Sequence, residues 1–168
     1  LDAVRLAGSL PGQTVVFLGV GFETTSPTVA ASVTQAAAAG VNNFAVLAGH
    51  KFIPPAMRLL ADAPELAVDG FLCPAHVSAV IGTEPYRFLA EKHGKACVVA
   101  GFEPLDILRG VEMILQQIAR GTPTVENEYA RVVKDEGNPH ALRLLAEVFS
   151  PADEEWRGFG VIPGSGCA

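Results

Sequence analysis

Two stretches of this chain place an acidic residue directly after a glycine and a phenylalanine: "GFETT" at residues 21–25 and "GFE" at residues 101–103. Each follows a short apolar run and precedes a proline-containing segment with a helical pattern. The helix dipole and free N–H groups hold a carboxylate in its ionised form at a helix N-terminus. The two acids are therefore either helix-start residues or acceptors that orient a partner group or take a proton. We predict catalytic roles for the acids and for the hydroxyls that follow the first of them: Glu23, Thr24, Thr25 and Glu103.

Two histidines, His50 and His76, stand just past other apolar runs of the strand type. A single histidine at such a place is more often structural than functional, but two at equivalent places favour a functional role. We predict a catalytic role for His76 and a cofactor contact for His50, a role that we also assign to Gly21 and Phe22. The chain lacks the close Cys/His spacing of a zinc site, so no metal ligand is predicted.

Other catalytic signatures are absent or incomplete. The chain has neither a P-loop nor a G-x-S-x-G nucleophile elbow, and its G-x-G at residues 19–21 lacks the third glycine of the dinucleotide fingerprint. The three cysteines form no C-x-x-C pair, and an all-cysteine iron–sulfur cluster needs about four thiolates. A small-molecule enzyme that uses a cleft at the strand ends stays open as an alternative, as does a plain interaction domain.

The elements that must position these residues alternate along the chain. Short β-rich runs at 14–20, 43–49, 68–74 and 95–101 are separated by helical patterns at about 27–39, 54–62 and 104–120. Runs that are apolar on both faces suit parallel strands covered by helices. We therefore predict an α/β fold, a Rossmann-like lobe with a mainly parallel sheet of four or more strands and helices on both faces. Ligands of such sheets bind at the carboxyl ends of the strands, so we expect the candidate residues at one edge.

The chain changes character after Gly121. We predict a Rossmann-like lobe over residues 1–122 and a C-terminal extension over 123–168 that packs on that lobe or bridges from it. The segment "WRGFGVIPGSG" at 156–166 is expected to be a late strand or extended piece. Near the other end, Ser26 is expected to be the N-cap of the first long helix, with Pro27 in its first turn.

Composition limits the partners. The chain has 168 residues and a net charge of −6 without a basic cluster, which argues against nucleic acid. No apolar stretch approaches the ~20 residues that span a bilayer, and the first residues lack a signal-peptide pattern, so no membrane contact is expected. Three widely spaced cysteines are typical of a reducing compartment, and we predict the cytoplasm.

Five ordered motifs together resemble one family over all 168 residues. They are "VGFETTSPTVA", "CPAHVSAVIGTEPY", "VVAGFEPLDIL", "EGNPHA" and "WRGFGVIPGSG". In this order and at these intervals they are similar to the central part of the HypD family of maturation factors for [NiFe]-hydrogenases.

The resemblance implies a scaffold that assembles a metal cofactor, more than a turnover enzyme. Members of the family work with a small HypC-like chaperone and with a HypE-like protein that supplies cyanide ligands. Together they assemble the Fe(CN)2(CO) unit that enters the hydrogenase large subunit. The family has two Rossmann-like lobes and a further part with a [4Fe–4S] cluster, so iron and that cluster are implied for the full-length protein.

The resemblance also implies roles for single residues. Residues 21–25 match the family's GFETT motif, at the cleft where the iron unit is handled, and residues 101–104 match a second GFE element. Residues 74–78 match a PGHVS motif, except that Ala75 stands where glycine is usual, and Glu128 departs from the usual asparagine–glutamine–tyrosine pattern. The family's iron-handling and cluster cysteines have no counterparts here, so we expect no cofactor in this fragment and no maturation activity from it alone.

Overall fold

The computed structural model describes residues 1–168, and the chain divides into two compact units. Unit 1 consists of Leu1–Phe52 together with His140–Ala168, and unit 2 consists of Ile53–Pro139. These two units do not test the predicted division near residue 122, which stays a prediction. Each unit carries one of the two Gly-Phe-Glu stretches.

The helices and strands alternate over most of the chain. The α-helices are Asp2–Ser9 (α1), Ser26–Ala38 (α2), Ile53–Asp62 (α3), Ala75–Ile81 (α4), Arg87–Glu91 (α5), Pro104–Arg120 (α6) and Pro139–Val148 (α7). The strands are Val15–Gly21 (β1), Phe44–His50 (β2), Gly70–Pro74 (β3), Ala96–Ala100 (β4), Val125–Asn127 (β5), Pro151–Trp156 (β6) and Gly160–Cys167 (β7). A 3₁₀ turn covers Glu84–Tyr86. The longest helix, α6, has 17 residues, and none of the helices has the length and hydropathy that a membrane span needs.

Unit 1 is built on two small sheets. Strands β1 and β2 pair in parallel from Val15 opposite Phe44 to Gly21 opposite His50. Strands β6 and β7 form an antiparallel hairpin with a register shift between Ala152 and Glu154. The backbone N–H of Phe52 donates to the carbonyl oxygen of Ser165 at 2.7 Å, which joins the end of β2 to the hairpin.

One face of the β1–β2 sheet is apolar and open to solvent. Val16, Leu18 and Val20 alternate along β1, and Leu47 lies opposite Leu18 on β2. Their exposed fractions are 54%, 64%, 74% and 62% in that order. Parallel strands with this composition are usually covered on both faces, and in this chain the β1–β2 face has no cover.

Unit 2 contains a hydrophobic core cluster. Strands β3, β4 and β5 form a parallel sheet in that order, and every residue of β4 is buried. The core cluster combines strand residues with the short helices beside them, namely Met57, Cys73, Ala75, Tyr86, Phe88, Leu89, Cys97, Val99 and Val133. The β-branched and small residues of β4 suit a strand that is covered on both sides.

The α/β class, with parallel strands and accompanying helices, is confirmed. The expectation of one sheet with four or more strands is wrong, because the strands form separate parallel sheets of two and three strands. Apolar periodicity locates a strand but carries no information on which strand pairs with it. The late segment is a strand, as expected, and it is the second strand of a hairpin.

Candidate functional site

The structure places the predicted site residues on two sheets. We call residues 21–25 and His50 the unit 1 rim, and His76 with residues 101–103 the unit 2 rim. Both lie at carboxyl ends of parallel strands, because β1 and β2 end at the first rim and β3 and β4 end at the second. The expectation that all candidates share one sheet edge is wrong, since no pairing joins the two sheets.

The unit 1 rim begins with a tight turn between β1 and α2. Gly21 has φ +151°, and a Cβ there would overlap the Thr25 hydroxyl, so the position requires glycine. The N–H of Thr25 and its hydroxyl both donate to the carbonyl oxygen of Phe22, at 3.0 Å and 3.1 Å. The turn folds Glu23 inward, where only 3% of the residue is exposed. A glutamate is almost never buried to this extent unless its carboxylate is satisfied by the surrounding structure.

The predicted N-cap of α2 is off by one residue. Thr25 is the N-cap and Ser26 is the first helical residue, with Pro27 in the first turn as expected. Thr25 makes no side-chain cap hydrogen bond, because its hydroxyl is used inside the turn. The Ser26 hydroxyl donates instead to the carbonyl oxygen of Glu23 at 3.4 Å.

His50 is fully buried at the end of β2, opposite Gly21. Its Nδ1 lies 3.9 Å from Sγ of Cys167, and its ring lies 6.0 Å from the ring of Phe149. Burial lowers the pKa of His50 and raises the pKa of Cys167, with a further upward contribution from Glu154. Both groups are therefore held neutral, as a thiol beside an imidazole. The sequence interpretation assigned no role to Cys167, since strand β7 brings it to His50 from 117 positions away.

The unit 2 rim has a different character. His76 lies in the first turn of α4 and is exposed, and its ring meets that of Phe102 edge-on at 4.6 Å. Glu103 is the N-cap of α6, and 75% of its side chain is exposed. Ala75 is buried at the start of α4, and no residue other than glycine has a positive φ.

Two residues at this rim escaped the sequence interpretation. Asp106, in the first turn of α6, is buried, and its Oδ2 accepts a hydrogen bond from Nη2 of Arg131 at 2.6 Å. Arg131 also lies 3.4 Å from Oε2 of Glu103, and its guanidinium stacks over the Tyr129 ring at 3.9 Å. The hydrogen bond to Asp106 raises the pKa of Arg131. The acid three residues beyond the helix cap was the available sequence signal, because N3 is a position where acids stabilise a helix start.

The three cysteines are free and buried. Cys73 and Cys97 lie on neighbouring strands, and a hydrogen bond with Cys97 raises the pKa of Cys73 well above its usual value, with burial adding to the effect. No group of three or more His, Cys, Asp or Glu side chains is placed to hold a metal ion. The residues of this chain therefore do not fit an iron–sulfur cluster.

Comparison with known proteins gives one consistent family. The family model HypD, described as "Hydrogenase formation hypA family", matches residues 1–168. The chain is 50% identical over 167 residues to the hydrogenase maturation factor HypD of Rhodobacter capsulatus, covering 99% of this chain and 44% of that relative. It is 48% identical to the factor of the same name in Escherichia coli K12, again over 99% of this chain, and covers 45% of it.

A third relative agrees. The hydrogenase maturation factor HypD of Rhizobium leguminosarum bv. viciae is 43% identical over an alignment 170 positions long, which covers 97% of this chain and 44% of that protein. The chain thus spans somewhat less than half the length of these curated relatives. This chain belongs to the HypD family.

Proposed function

We propose that this chain supplies part of the scaffold on which a HypD-type maturation factor assembles the Fe(CN)2(CO) unit of [NiFe]-hydrogenases. Family membership supports a role in hydrogenase maturation. The observation that carries the finer proposal is the Gly21–Thr25 turn, which buries an acid at the carboxyl end of a parallel strand. That is where open α/β sheets bind their ligands. The iron unit is the cargo of this reaction and not a resident cofactor of the chain.

The proposed role of Glu23 follows from its position. Glu23 lies just after the end of β1 and shortly before α2. As a carboxylate, it accepts a hydrogen bond or a proton from a group bound to the iron unit. Thr24 and Thr25 supply hydroxyls beside it, while Gly21, Phe22 and His50 shape the wall of the same rim. We propose His76 and Glu103 as the corresponding polar groups of the unit 2 rim.

The proposed partners are a HypC-like chaperone and a HypE-like cyanide donor. Because the chain covers less than half of its relatives, we propose that it does not mature a hydrogenase alone. We propose the cytoplasm as its compartment, since all three cysteines are free thiols, the state that reducing compartments maintain. A domain boundary near residue 122 also stays among our proposals.

Two clefts of unit 2 do not favour the small-molecule enzyme. One cleft of unit 2 is lined by polar and apolar residues that include Thr83, Arg87 and Asp135. Another includes Asp69, Gln117 and Pro123. Neither contains a predicted site residue, so a ligand held there would not meet the candidate chemistry.

The test is Glu23→Gln in a full-length maturation factor that contains this segment. The substitution keeps the size and shape of the side chain, removes its charge and replaces one acceptor oxygen with an NH2 donor. We expect hydrogenase activity to be lost in a strain that depends on this factor, while thermal unfolding shows that the variant still folds. Glu65→Gln is the matched control, because Glu65 is an exposed acid outside both rims. Full hydrogenase activity with Glu23→Gln would show that Glu23 is only a structural residue at the turn before α2.

A further inference from the structure

The Gly101-Phe102-Glu103 turn is held by residues that the proposed function leaves unused. Asp106 lies five residues after Gly101 in the chain, and Arg131 lies thirty residues after it. Asp106 nevertheless packs against Gly101, and Arg131 lies 3.4 Å from Glu103. Only 6% of the Asp106 side chain is exposed, and its carboxylate accepts a hydrogen bond from Arg131 at 2.6 Å. A charge-assisted hydrogen bond is stronger than a neutral one, and removing the partner of a buried charge is strongly destabilising.

Tyr129 and Arg131 belong to a segment that is itself anchored to β4. The backbone N–H of Glu128 donates to the carbonyl oxygen of Val99 at 2.9 Å. The N–H groups of Val132 and Val133 both donate to the carbonyl oxygen of Tyr129 at 3.0 Å. These hydrogen bonds fix the segment beside Val99, the residue before the last one of β4. The Arg131 guanidinium stacks on the Tyr129 ring of this segment, so its position is fixed as well.

Gly101 shows how closely these groups approach the turn. A Cβ at this position would overlap Oδ2 of Asp106 and would lie 2.7 Å from Cδ2 of Tyr129. The space beside the turn is therefore filled from one side by an acid and from the other by an aromatic ring. Phe102, the next residue, contacts His76 through its ring.

We propose that Asp106, Tyr129 and Arg131 form a turn lock that sets the positions of Phe102 and Glu103. They are positioning residues, because they act through the turn and not on a bound group. The planar guanidinium suits this role better than an ammonium, since one face stacks on Tyr129 while an edge binds Asp106. A role of the lock in hydrogenase maturation rests on the proposed function. The contacts that form the lock do not depend on that function.

The edge-on contact between His76 and Phe102 provides a local measurement. The ring current of Phe102 displaces the proton signals of the His76 imidazole, and the chain has only four histidines. We would record these signals in the 168-residue chain carrying ¹³C-labelled histidine and assign His76 with His76→Gln. The other three histidines report whether the rest of the chain is folded.

The variants are Arg131→Ala, Arg131→Lys and Asp106→Asn. The matched control is Arg109→Ala, because Arg109 pairs with Glu112 at 2.5 Å on the exposed side of α6. We expect the His76 displacement to be lost in Arg131→Ala and Asp106→Asn, reduced in Arg131→Lys and unchanged in the control. A His76 displacement that stays at its wild-type value in both Arg131→Ala and Asp106→Asn would overturn the lock.

The same variants in a full-length factor separate the lock from the proposed function. Loss of the His76 displacement together with loss of hydrogenase activity supports both proposals. Loss of the displacement with full activity supports the lock and contradicts a role for the unit 2 rim in maturation. An unchanged displacement overturns the lock, whatever the activity.

Discussion

Gly101→Ala tests how tightly the turn at the unit 2 rim is packed. The Gly101 backbone is not in the left-handed region, so the added methyl group causes no backbone strain. Its effect is purely steric, since the methyl would overlap the Asp106 carboxylate and crowd the Tyr129 ring. Either the turn or both neighbours must move.

The expected cost follows from those contacts. Forcing one extra methyl group into a well-packed site costs typically about 1–3 kcal/mol. Here one of the displaced groups is a buried carboxylate that would lose its hydrogen bond to Arg131, so we expect the upper end, about 3 kcal/mol. With a denaturant slope of about 2 kcal/mol per molar urea, the unfolding midpoint falls by about 1.5 M.

The assay is urea unfolding of wild type, Gly101→Ala, Tyr129→Ala and the double variant. Because Tyr129→Ala removes one of the two clashes, Gly101→Ala should cost less in that background by about 1 kcal/mol or more. Gly12→Ala is the control, since a Cβ there meets no atom within 4 Å, and its midpoint should stay within about 0.5 M of wild type. Equal midpoints for wild type and Gly101→Ala would refute the packing argument.

Two further predictions concern the buried titratable groups. Burial lowers the pKa of His50 below 6.5, so below that pH the unfolded chain binds a proton that the folded chain does not, and stability falls as the pH drops. Urea midpoints at pH 7.5 and 5.5 should differ less in His50→Gln than in wild type, and equal pH dependence in the two proteins would contradict this. The thiols of Cys73 and Cys167, with raised pKa values, should react with a thiol reagent at pH 8 about tenfold or more slowly in the folded chain than in urea. Serine variants assign each thiol, and equal rates in the folded and unfolded chains would show that the burial is not maintained.

Much of the local structure is predictable from the sequence because it depends on neighbours in the chain. The run at 14–20 overlaps all of β1 except its last residue, the run at 95–101 contains β4, and the helix expected at 104–120 is α6. Apolar periodicity, proline and glycine determine these elements through backbone preferences that act over a few residues. The same local rules place an acid at the start of α6, where Glu103 is the N-cap.

The environment of each candidate was not predictable in this way. Glu23 and Glu103 stand in matching sequence contexts, yet Glu23 is buried and most of the Glu103 side chain is exposed. The histidines divide likewise, with His50 buried beside Cys167 and His76 exposed against Phe102. Burial depends on the side chains and backbone that pack over a residue, and these come from distant parts of the chain.

By itself, the sequence determined the α/β class, the positions of the main strands and helices, and the family motifs. Tertiary structure alone decided that the parallel strands form two sheets and that Arg131 reaches Asp106 across 25 positions. The physical reason is the range of the interactions. Backbone propensity is a property of a few consecutive residues, whereas strand pairing, burial and ion pairing depend on groups that only the folded chain brings together.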